Sequence, residues 1–258
     1  MEKKGYIRDE KYVRPKRAEE KFKLAQRLQQ SIYLYGITGI GKTALVKDML
    51  GRKSYYYYSA KETGAEQILV PEGDKHHIIV VDDLHCIMND RQREEYADKL
   101  RFLMQCRNIW LILISRCVIS QWLMPLHIDN TFLIIQEEDL YLDRHGQDAY
   151  FEKWNINMSL EQAKGIWQIA SGNPLFLRFV ALAGGDVRQA VDDLWKYFLY
   201  IYEQWDTELQ EFMMEISVLE RFNASMAQMV TGRRNALQLL KRAQETGNFL
   251  TEKNGMYE

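Results

Sequence analysis

One octapeptide constrains this chain more than any other feature. The sequence GITGIGKT, from Gly36 to Thr43, follows the apolar run Ser31–Tyr35 and precedes a stretch with helical character. It matches the pattern G-x-x-x-x-G-K-[ST] in the strand–loop–helix context that a phosphate-binding loop requires. Glycines let a backbone wrap closely around phosphate, so that loop N–H groups and the helix N-terminus face a polyanion. The octapeptide therefore predicts a nucleoside triphosphate site; the alternative is a plain glycine turn between strand and helix.

Individual residues of this loop have separate predicted tasks. The ammonium group of Lys42 is expected to reach the β- and γ-phosphates, and the Thr43 hydroxyl is expected to bind Mg²⁺. Lys42 also counts as a catalytic candidate because its charge would face the transferred phosphate. The other nucleotide-binding candidates of the loop are Gly36, Thr38, Gly39, Ile40, Gly41 and Ala44.

An acidic pair supplies the second half of the predicted site. The apolar run 78–81 ends in Asp82 and Asp83. A P-loop requires a carboxylate to complete the Mg²⁺ shell, and we expect it at the end of a neighbouring buried strand. We assign Asp82 to the metal, through water, and Asp83 to orienting or activating the attacking water. The alternative is that the two aspartates only cap the following segment.

Two later segments end in residues that belong to the same prediction. The run LILISR, 111–116, ends in Arg116, which a parallel sheet would place at the ligand-binding edge with the P-loop. Arg116 is then a candidate for sensing the γ-phosphate or stabilising its charge, with a surface ion pair as the alternative. The segment SGNP, 171–174, either meets the nucleotide base or is a loop that places Pro174 at the first turn of a helix.

The order of apolar runs predicts an α/β fold. Several runs are continuous rather than alternating, which is typical of strands buried on both faces of a parallel sheet covered by helices. The predicted strands are Ser31–Tyr35, Ser54–Ser59, His77–Val81, Trp110–Ser115 and Thr131–Ile135. The predicted helices of this part are Arg17–Gln29, Lys42–Leu50, Asp90–Gln105 and a short one around Ser120–Met124. Together they predict a P-loop NTPase whose parallel sheet is sandwiched by helices.

From about Glu137 onward helices replace strands. The predicted helices are Gly146–Asn155, Ser159–Ala170, Pro174–Ala183, Asp186–Gln204, Asp206–Leu219, Ser225–Thr231 and Arg234–Thr246. Ser159 and Gln162 have the spacing of a capping box, and Asp186 and Asp206 are predicted N-caps. The last residues predict a strand, a turn at Asn254-Gly255 and the start of a returning strand.

Composition narrows the class of protein. The 258 residues carry a net charge of -2, and a pI near 6.3 argues against a nucleic-acid-binding surface as their main role. The 3 cysteines form no C-x-x-C pair, which favours reduced structural thiols. We find neither a signal peptide nor an apolar run of the roughly 18 residues needed for a bilayer span, and expect a cytoplasmic protein without a membrane partner.

Taken in order, GITGIGKT, IIVVDD, LILISR and SGNP resemble the STAND class of signal-transduction ATPases. The resemblance is strongest to bacterial MalT-like regulators, whose full-length forms often carry a LuxR-type DNA-binding domain. The segment FMMEISVLERFNASMAQMVTG, 212–232, resembles the start of their winged-helix domain, and the final residues resemble the segment that runs into its wing. The likeness covers nearly the whole chain from about Tyr12. It divides the chain into an α/β domain (1–136), a helical lid subdomain (137–204) and a truncated winged-helix domain (205–258).

The resemblance implies a switch operated by ATP, ADP and Mg²⁺. ADP would be held in a closed form by the phosphate loop, the lid and the winged helix, whereas ATP with an unidentified effector would favour an open, self-associating form. Pro174, Val13 and Arg14 would lie near the nucleotide base. DNA would be bound only through a C-terminal module that these residues do not include. We therefore expect the ATP-operated core of a longer regulator, with a short natural form as the alternative.

Three functions remain to be compared. The leading hypothesis is a slow ATPase whose output is conformation and oligomerisation. The second is an AAA+-like ATPase that remodels a protein or nucleic-acid partner by continuous turnover. The third is a scaffold that no longer uses nucleotide, and the intact set of Lys42, Thr43 and Asp82 argues against it.

Overall fold

A six-stranded sheet organises the first half of the chain. We describe it from a computed structural model, which covers residues 2–3, 10–71, 73, 75–87, 89–247, 250, 252–253 and 255–258. The strands are β1 (Glu2–Lys3), β2 (Ile32–Tyr35), β3 (Tyr55–Ser59), β4 (His77–Asp82), β5 (Ile109–Ser115) and β6 (Leu133–Ile135). Their spatial order is β1-β3-β4-β5-β2-β6, and all pairings are parallel except that of β1 with β3.

Helices cover both faces of this sheet. They are α1 (Lys16–Leu28), α2 (Lys42–Leu50), α3 (Asp90–Gln105) and α4 (Met124–Asn130). Alternate residues of β5 enter opposite cores: Ile112 packs with the buried residues of α1 and α2, and Leu113 packs with those of α3 and α4. A strand buried on both faces needs the continuous apolar run that the sequence shows. The predicted α/β fold class is confirmed.

Two elements of this half differ from the prediction. The antiparallel pair of β1 with β3 was not anticipated, because the charged N-terminal residues carry no strand pattern. The helix expected around Ser120–Met124 is wrong in position: a 3-10 turn spans Gln121–Leu123, and α4 follows it over Met124–Asn130. Helices often end before a proline, but Pro125 lies in the first turn of α4, where the N–H groups have no intrahelical partner.

Four helices form the next layer, which we call the lid. They are α5 (Arg144–Lys153), α6 (Leu160–Ala170), α7 (Pro174–Leu182) and α8 (Val187–Glu203). The capping box of Ser159 with Gln162 and the N-cap at Asp186 are confirmed. The lid has its own core, centred on Phe151, Ile166 and Leu177, while Leu175 of α7 joins the core under the P-loop.

The last elements form a compact group with a separate core. They are α9 (Thr207–Ile216), α10 (Ala224–Thr231), α11 (Ala236–Gly247) and the hairpin of β7 (Glu252–Lys253) with β8 (Met256–Tyr257). Asp206 caps α9 as predicted, and a backbone bridge joins Phe222 to Tyr257. Of the predicted hairpin turn, Asn254 lies outside the described residues. α11 contacts the short turn 84–86 that follows β4, so this group reaches the edge of the sheet that carries the acidic pair.

Within the described part of the chain, no helix is both long and apolar enough to cross a bilayer.

Candidate functional site

The P-loop connects β2 to α2 and is shaped by its glycines. Gly36, Gly39 and Gly41 have φ of 152°, 83° and 100°. A Cβ on Gly39 would lie 2.7 Å from the Leu175 side chain, and one on Gly36 would lie 3.1 Å from Cβ of Glu137. At Gly41 a Cβ would meet nothing within 4 Å, so backbone conformation alone requires glycine there. The loop is therefore approached closely at two of its three glycines, by Leu175 of the lid and by Glu137 between β6 and the lid.

The Lys42 ammonium is folded against its own loop. Nζ donates to the carbonyl oxygens of Gly36 at 2.6 Å and of Ile37 at 2.8 Å. Burial lowers the pKa of Lys42 to about 8, and the nearby charge of Asp82 opposes that shift. A buried cation at the start of a helix is poised to accept an anion, because the anion would replace weak carbonyl partners with an opposite charge.

Asp82 is held by hydroxyl groups from two other elements. Its Oδ2 accepts from Thr43 Oγ1 at 2.9 Å and from Tyr57 Oη at 2.9 Å, and its Oδ1 accepts from the Asp83 amide at 2.7 Å. The expectation that Asp82 ends a strand adjacent to the P-loop strand is wrong, because β5 lies between β2 and β4. Thr43 lies in the first turn of α2 and still reaches Asp82.

Asp83 points to the neighbouring strand. Its backbone is left-handed, with φ of 59°, and its Oδ2 accepts from Ser59 Oγ at 2.7 Å. Burial raises the pKa of Tyr57, and the Asp82 carboxylate adds to the shift, so that phenol remains a donor. Tyr57 and Ser59 were not assigned to the site from sequence. Alternate residues of a strand share one face, so Tyr57 and Ser59 lie on the same face of β3. This two-residue spacing, in a strand that pairs with the acidic strand, is the sequence pattern that could have identified them.

Arg116 is the residue that follows the last residue of β5, at the carboxyl end of that strand. Its positive charge contributes to lowering the pKa of Lys42 and of His85, and it also acts on Tyr197 of α8. For Lys42 and His85 burial is the larger cause. Ligands of open α/β sheets bind at the carboxyl ends of the strands, so Arg116 stays a candidate for the γ-phosphate sensor.

The predicted base-side residues occupy different environments. Val13 packs against the lid core. The Arg14 guanidinium pairs with Asp48 of α2, at 2.5 Å, and with Glu19 of α1, at 2.8 Å. Because these ion pairs occupy the Arg14 side chain, a contact between this segment and a base would come from its backbone groups. Pro174 is the first residue of α7, as predicted.

The SGNP segment is built around a close backbone approach. A Cβ on Gly172 would lie 1.9 Å from the Leu142 carbonyl oxygen, and the Leu142 amide donates to the Gly172 carbonyl at 2.9 Å. Asn173 then caps α7: its Oδ1 accepts from the amides of Leu175 and Phe176. The glycine and the asparagine therefore fix the start of the helix that carries Leu175 to the P-loop.

The residues of the loop fit a nucleotide polyphosphate with Mg²⁺. The Thr38 hydroxyl is buried and has no hydrogen-bond partner among the described residues, so it is an available donor inside the loop. Thr43 and Asp82 share a hydrogen bond, and hydroxyl and carboxylate oxygens are ligands that Mg²⁺ accepts. In the described part of the chain, no group of three or more His, Cys, Asp or Glu side chains is arranged to hold a metal. Phosphate oxygens and water would therefore complete such a Mg²⁺ shell.

Two comparisons of the amino-acid sequence, one with domain families and one with whole proteins, both find similarity to MalT. The MalT winged helix domain family matches residues 200–257. The HTH-type transcriptional regulator MalT of Vibrio campbellii is 24% identical over 188 residues, which cover 67% of this chain and 20% of that protein. MalT of Yersinia pestis (strain Pestoides F) is 25% identical over 187 residues, with the same two shares, 67% and 20%. The matched segment thus spans about a fifth of the length of these relatives.

Solved structures share the fold over nearly the whole chain. A Walker-type ATPase of Pyrococcus abyssi has a TM-score of 0.63 at 14% identity, covering 98% of this chain and 93% of that one. A variant of RuvB from Thermotoga maritima has a TM-score of 0.50 at 13% identity, covering 95% and 91%. At these identities the likeness establishes the P-loop ATPase fold. With the MalT matches, it confirms the predicted resemblance to MalT-like STAND ATPases.

Proposed function

We propose that this MalT-like chain binds ATP and ADP with Mg²⁺ and hydrolyses ATP slowly. In this proposal it is the nucleotide-operated core of a signal-responsive transcriptional regulator, closed with ADP and open with ATP. The observation that carries the proposal is the arrangement of Lys42, Thr43 and Asp82: Lys42 bonds its own loop, Thr43 bonds Asp82, and Leu175 of the lid lies against Gly39 of the same loop. The MalT relatives support the regulatory setting.

The binding step follows from the loop. Lys42 would leave the carbonyl oxygens of Gly36 and Ile37 and direct its charge to the phosphates, while loop amides and the Thr38 hydroxyl donate to phosphate oxygens. Thr43 and Asp82 would hold Mg²⁺, which supplies charge neutralisation between phosphate oxygens. Tyr57 would keep the Asp82 carboxylate in place by its hydrogen bond to Oδ2.

The slow hydrolysis that we propose has a structural rationale in Asp83. We assign this carboxylate to orienting the attacking water, with Arg116 facing the γ-phosphate. The Ser59 hydroxyl donates to Asp83 Oδ2 and turns the carboxylate toward β3, an orientation that we propose makes Asp83 slow to engage the attacking water. The attacking water then forms a bond to the γ-phosphorus and passes a proton to a phosphate oxygen, while the bond to the ADP oxygen breaks; Arg116 and Lys42 would stabilise the charge on the transferred group.

The conformational step would involve the lid. Leu175 of α7 lies against Gly39, and a Cβ on Gly39 would also lie 3.7 Å from the Tyr197 hydroxyl of α8, so we propose that a γ-phosphate alters the contacts between loop and lid. A nucleotide can shift such an equilibrium only if it binds the two forms unequally. We propose that ATP and ADP differ in this respect and that the open form self-associates.

The proposed division of labour follows the domain boundaries given above. Residues 1–136 would carry phosphate and metal chemistry, residues 137–204 would act as the lid, with Pro174, Val13 and Arg14 near the base, and residues 205–258 would relay the nucleotide state. DNA and the effector would be bound by other parts of a longer protein.

The test is the nucleotide content of the purified protein, followed by the affinities and hydrodynamic sizes with ATP and with ADP. We expect bound ADP, and a larger species with ATP than with ADP. Equal affinities together with identical sizes for the two nucleotides would overturn the switch.

A second candidate function is continuous ATP-driven remodelling of a protein or nucleic-acid partner. The fold likeness to RuvB, at a TM-score of 0.50, is the observation that favours it. Steady-state turnover separates the two candidates: rapid turnover that Asp83→Asn abolishes would favour remodelling, whereas turnover far slower than about 1 s⁻¹ would favour the switch.

A further inference from the structure

A continuous chain of hydrogen bonds runs from the P-loop into the lid. The Ile37 amide donates to Glu137 Oε2 at 2.8 Å. Tyr141 Oη donates to Glu137 Oε1 at 3.2 Å, and Asn173 Nδ2 donates to Tyr141 Oη at 3.1 Å. Asn173 Oδ1 in turn accepts from the Leu175 amide in the first turn of α7. The two ends of this chain are the base of the phosphate loop and the start of the lid helix that lies over it.

The middle of the chain is sheltered and charged. Glu137 is partly buried and begins the 3-10 turn 137–140, two residues after β6. Gly36 leaves room for it, since a Cβ there would approach the Glu137 carboxylate to 3.3 Å. Burial raises the pKa of Tyr141, and the Glu137 charge adds to this, so the phenol stays protonated and donates. Hydrogen bonds to an ionised acceptor are about twice as strong as neutral ones, so each contact to Glu137 contributes more than an ordinary turn bond.

Glu137 and Lys42 both form a hydrogen bond with Ile37 of the loop. Lys42 Nζ donates to the carbonyl oxygens of Gly36 and Ile37, while the Glu137 carboxylate accepts from the Ile37 amide. The negative charge of Glu137 also favours the charged form of Lys42. When Lys42 turns to an anion, its contacts to these carbonyls are lost, whereas the contact of Glu137 to the Ile37 amide does not depend on Lys42.

We propose that Glu137, Tyr141 and Asn173 form a lid-to-loop strap, a set of positioning residues that makes the conformation of the P-loop depend on the position of the lid. The strap rests on the proposed function in one respect, namely that the ligand of the loop is a nucleotide. A lid movement that withdraws Tyr141 and Asn173 loosens Glu137, and with it the Ile37 amide. Conversely, a ligand that rearranges the loop changes the hydrogen bonds of Glu137, Tyr141 and Asn173 and thereby the position of the first turn of α7.

The first test needs no nucleotide. Amide hydrogen exchange is measured in the free protein for the peptides 36–41 and 174–177, in the wild type, Glu137→Ala, Glu137→Gln and Tyr141→Phe. We expect exchange in 36–41 to rise about tenfold in Glu137→Ala and about threefold in Tyr141→Phe, because a charge-assisted bond is lost in one and a neutral support in the other. Glu137→Gln keeps an acceptor for the Ile37 amide and should fall between them.

Coupling between loop and lid is measured by hydrogen exchange at the lid end of the strap, in the peptide 174–177. Glu137→Ala should also raise exchange in 174–177, which it does not touch directly. The matched control is Glu138→Ala, the exposed neighbour, which should alter neither peptide. If Glu137→Ala fails to fold, the exchange rates of Tyr141→Phe and Glu137→Gln still test the strap. Exchange in 36–41 that is unchanged in Tyr141→Phe and Glu137→Gln, or equally raised by Glu138→Ala, would overturn the strap.

Affinity for ADP separates a failure of the strap from a failure of the proposed function. We expect Tyr141→Phe to weaken ADP binding about threefold and Glu137→Ala about tenfold. A wild type that binds no ADP but shows the exchange coupling would refute the nucleotide function and keep the strap as a link between loop and lid. A wild type that binds ADP with all variants unchanged in both measurements would keep the function and refute the strap.

Discussion

The nucleotide-facing edge of the sheet and the winged-helix domain both carry charged side chains, but they satisfy them differently. At the sheet edge Lys42 and Asp82 are only 8% and 6% exposed, and loop carbonyls and hydroxyl groups surround them. In the winged-helix domain, Arg233 pairs with Glu211 and Glu215, whose side chains are 59% and 39% exposed. Arg242 similarly pairs with Asp206 and Glu208, both from the region of α9.

The charged groups of the two regions should therefore differ in how much they contribute to stability and binding. Buried ionic groups depend on every partner, so removing one leaves an uncompensated charge, whereas exposed pairs contribute little. Arg233 and Arg242 are thus balanced by acids of their own domain. The sheet edge is therefore the region in which single substitutions should matter most, and the following predictions test this contrast in decreasing order of effect.

The largest effect is expected where the lid backbone meets the SGNP segment. Gly172→Ala places a Cβ 1.9 Å from the Leu142 carbonyl oxygen, at a residue with φ of 82°. We expect a loss of about 4 kcal/mol in the free energy of unfolding, because both strain and a backbone clash result. Gly165→Ala on α6 is the matched control: a Cβ there meets nothing within 4 Å, and alanine should be neutral or slightly stabilising. Denaturant unfolding measures both, and equal stability of the two variants would contradict the close approach.

Removing the loop cation should have the next largest effect. Lys42→Ala is expected to weaken ATP binding about 100-fold, since charge-assisted contacts to two phosphates are lost. Lys53→Ala, an exposed lysine just beyond α2, should leave the affinity unchanged. Titration calorimetry compares them, and similar affinities for both variants would move the binding site away from this loop.

The titration of Lys42 gives a pH dependence. Its pKa of about 8 means that the free protein loses this charge above pH 8, so nucleotide affinity should fall about tenfold between pH 7.5 and 9. The effect of Lys42 on folding stability has the opposite pH dependence to that of a lysine in an ordinary ion pair, because its pKa is lowered in the folded protein and not raised. The unfolded chain keeps the proton to about pH 10.5, so the stability of the nucleotide-free protein gains from Lys42 between pH 8 and 10.5. Lys42→Arg stays charged and should flatten the binding profile; the same slope in this variant would assign the effect to another group.

The hydroxyl that supports the acidic pair should have a smaller effect. Tyr57→Phe removes the phenol donor of Asp82 and leaves the contacts from Thr43 and the Asp83 amide. We expect Mg²⁺-dependent nucleotide affinity to fall about fivefold, which corresponds to one hydrogen bond of about 1 kcal/mol. Tyr56→Phe changes the opposite face of β3 and serves as the control. A loss in both variants would indicate a general effect on the strand.

The smallest effect is expected on the winged-helix surface. Arg233→Ala breaks the pairs with Glu211 and Glu215, and we expect the melting temperature to change by less than about 2 °C. A fall of more than about 5 °C would break the comparison, since exposed pairs would then contribute as much as buried ones.

Much of the fold was accessible from the sequence because its signals are local. The strands β2 to β6 appear as apolar runs, and the caps at Ser159, Asp186 and Asp206 appear as short polar patterns next to helices. The exceptions have local causes too. The strand β1 carries no strand pattern, and α4 continues past a proline that its first turn tolerates.

The sequence by itself determined which atoms are available at the phosphate loop, because the spacing of Gly36, Gly41, Lys42 and Thr43 shapes one continuous backbone segment. Only the tertiary structure decided what meets that loop. It inserted β5 between the loop strand and the acidic strand, brought Tyr57 to Asp82, and set Glu137 on the Ile37 amide from 100 positions away. The physical reason is that a hydrogen bond depends on distance in space, whereas a motif records only distance along the chain.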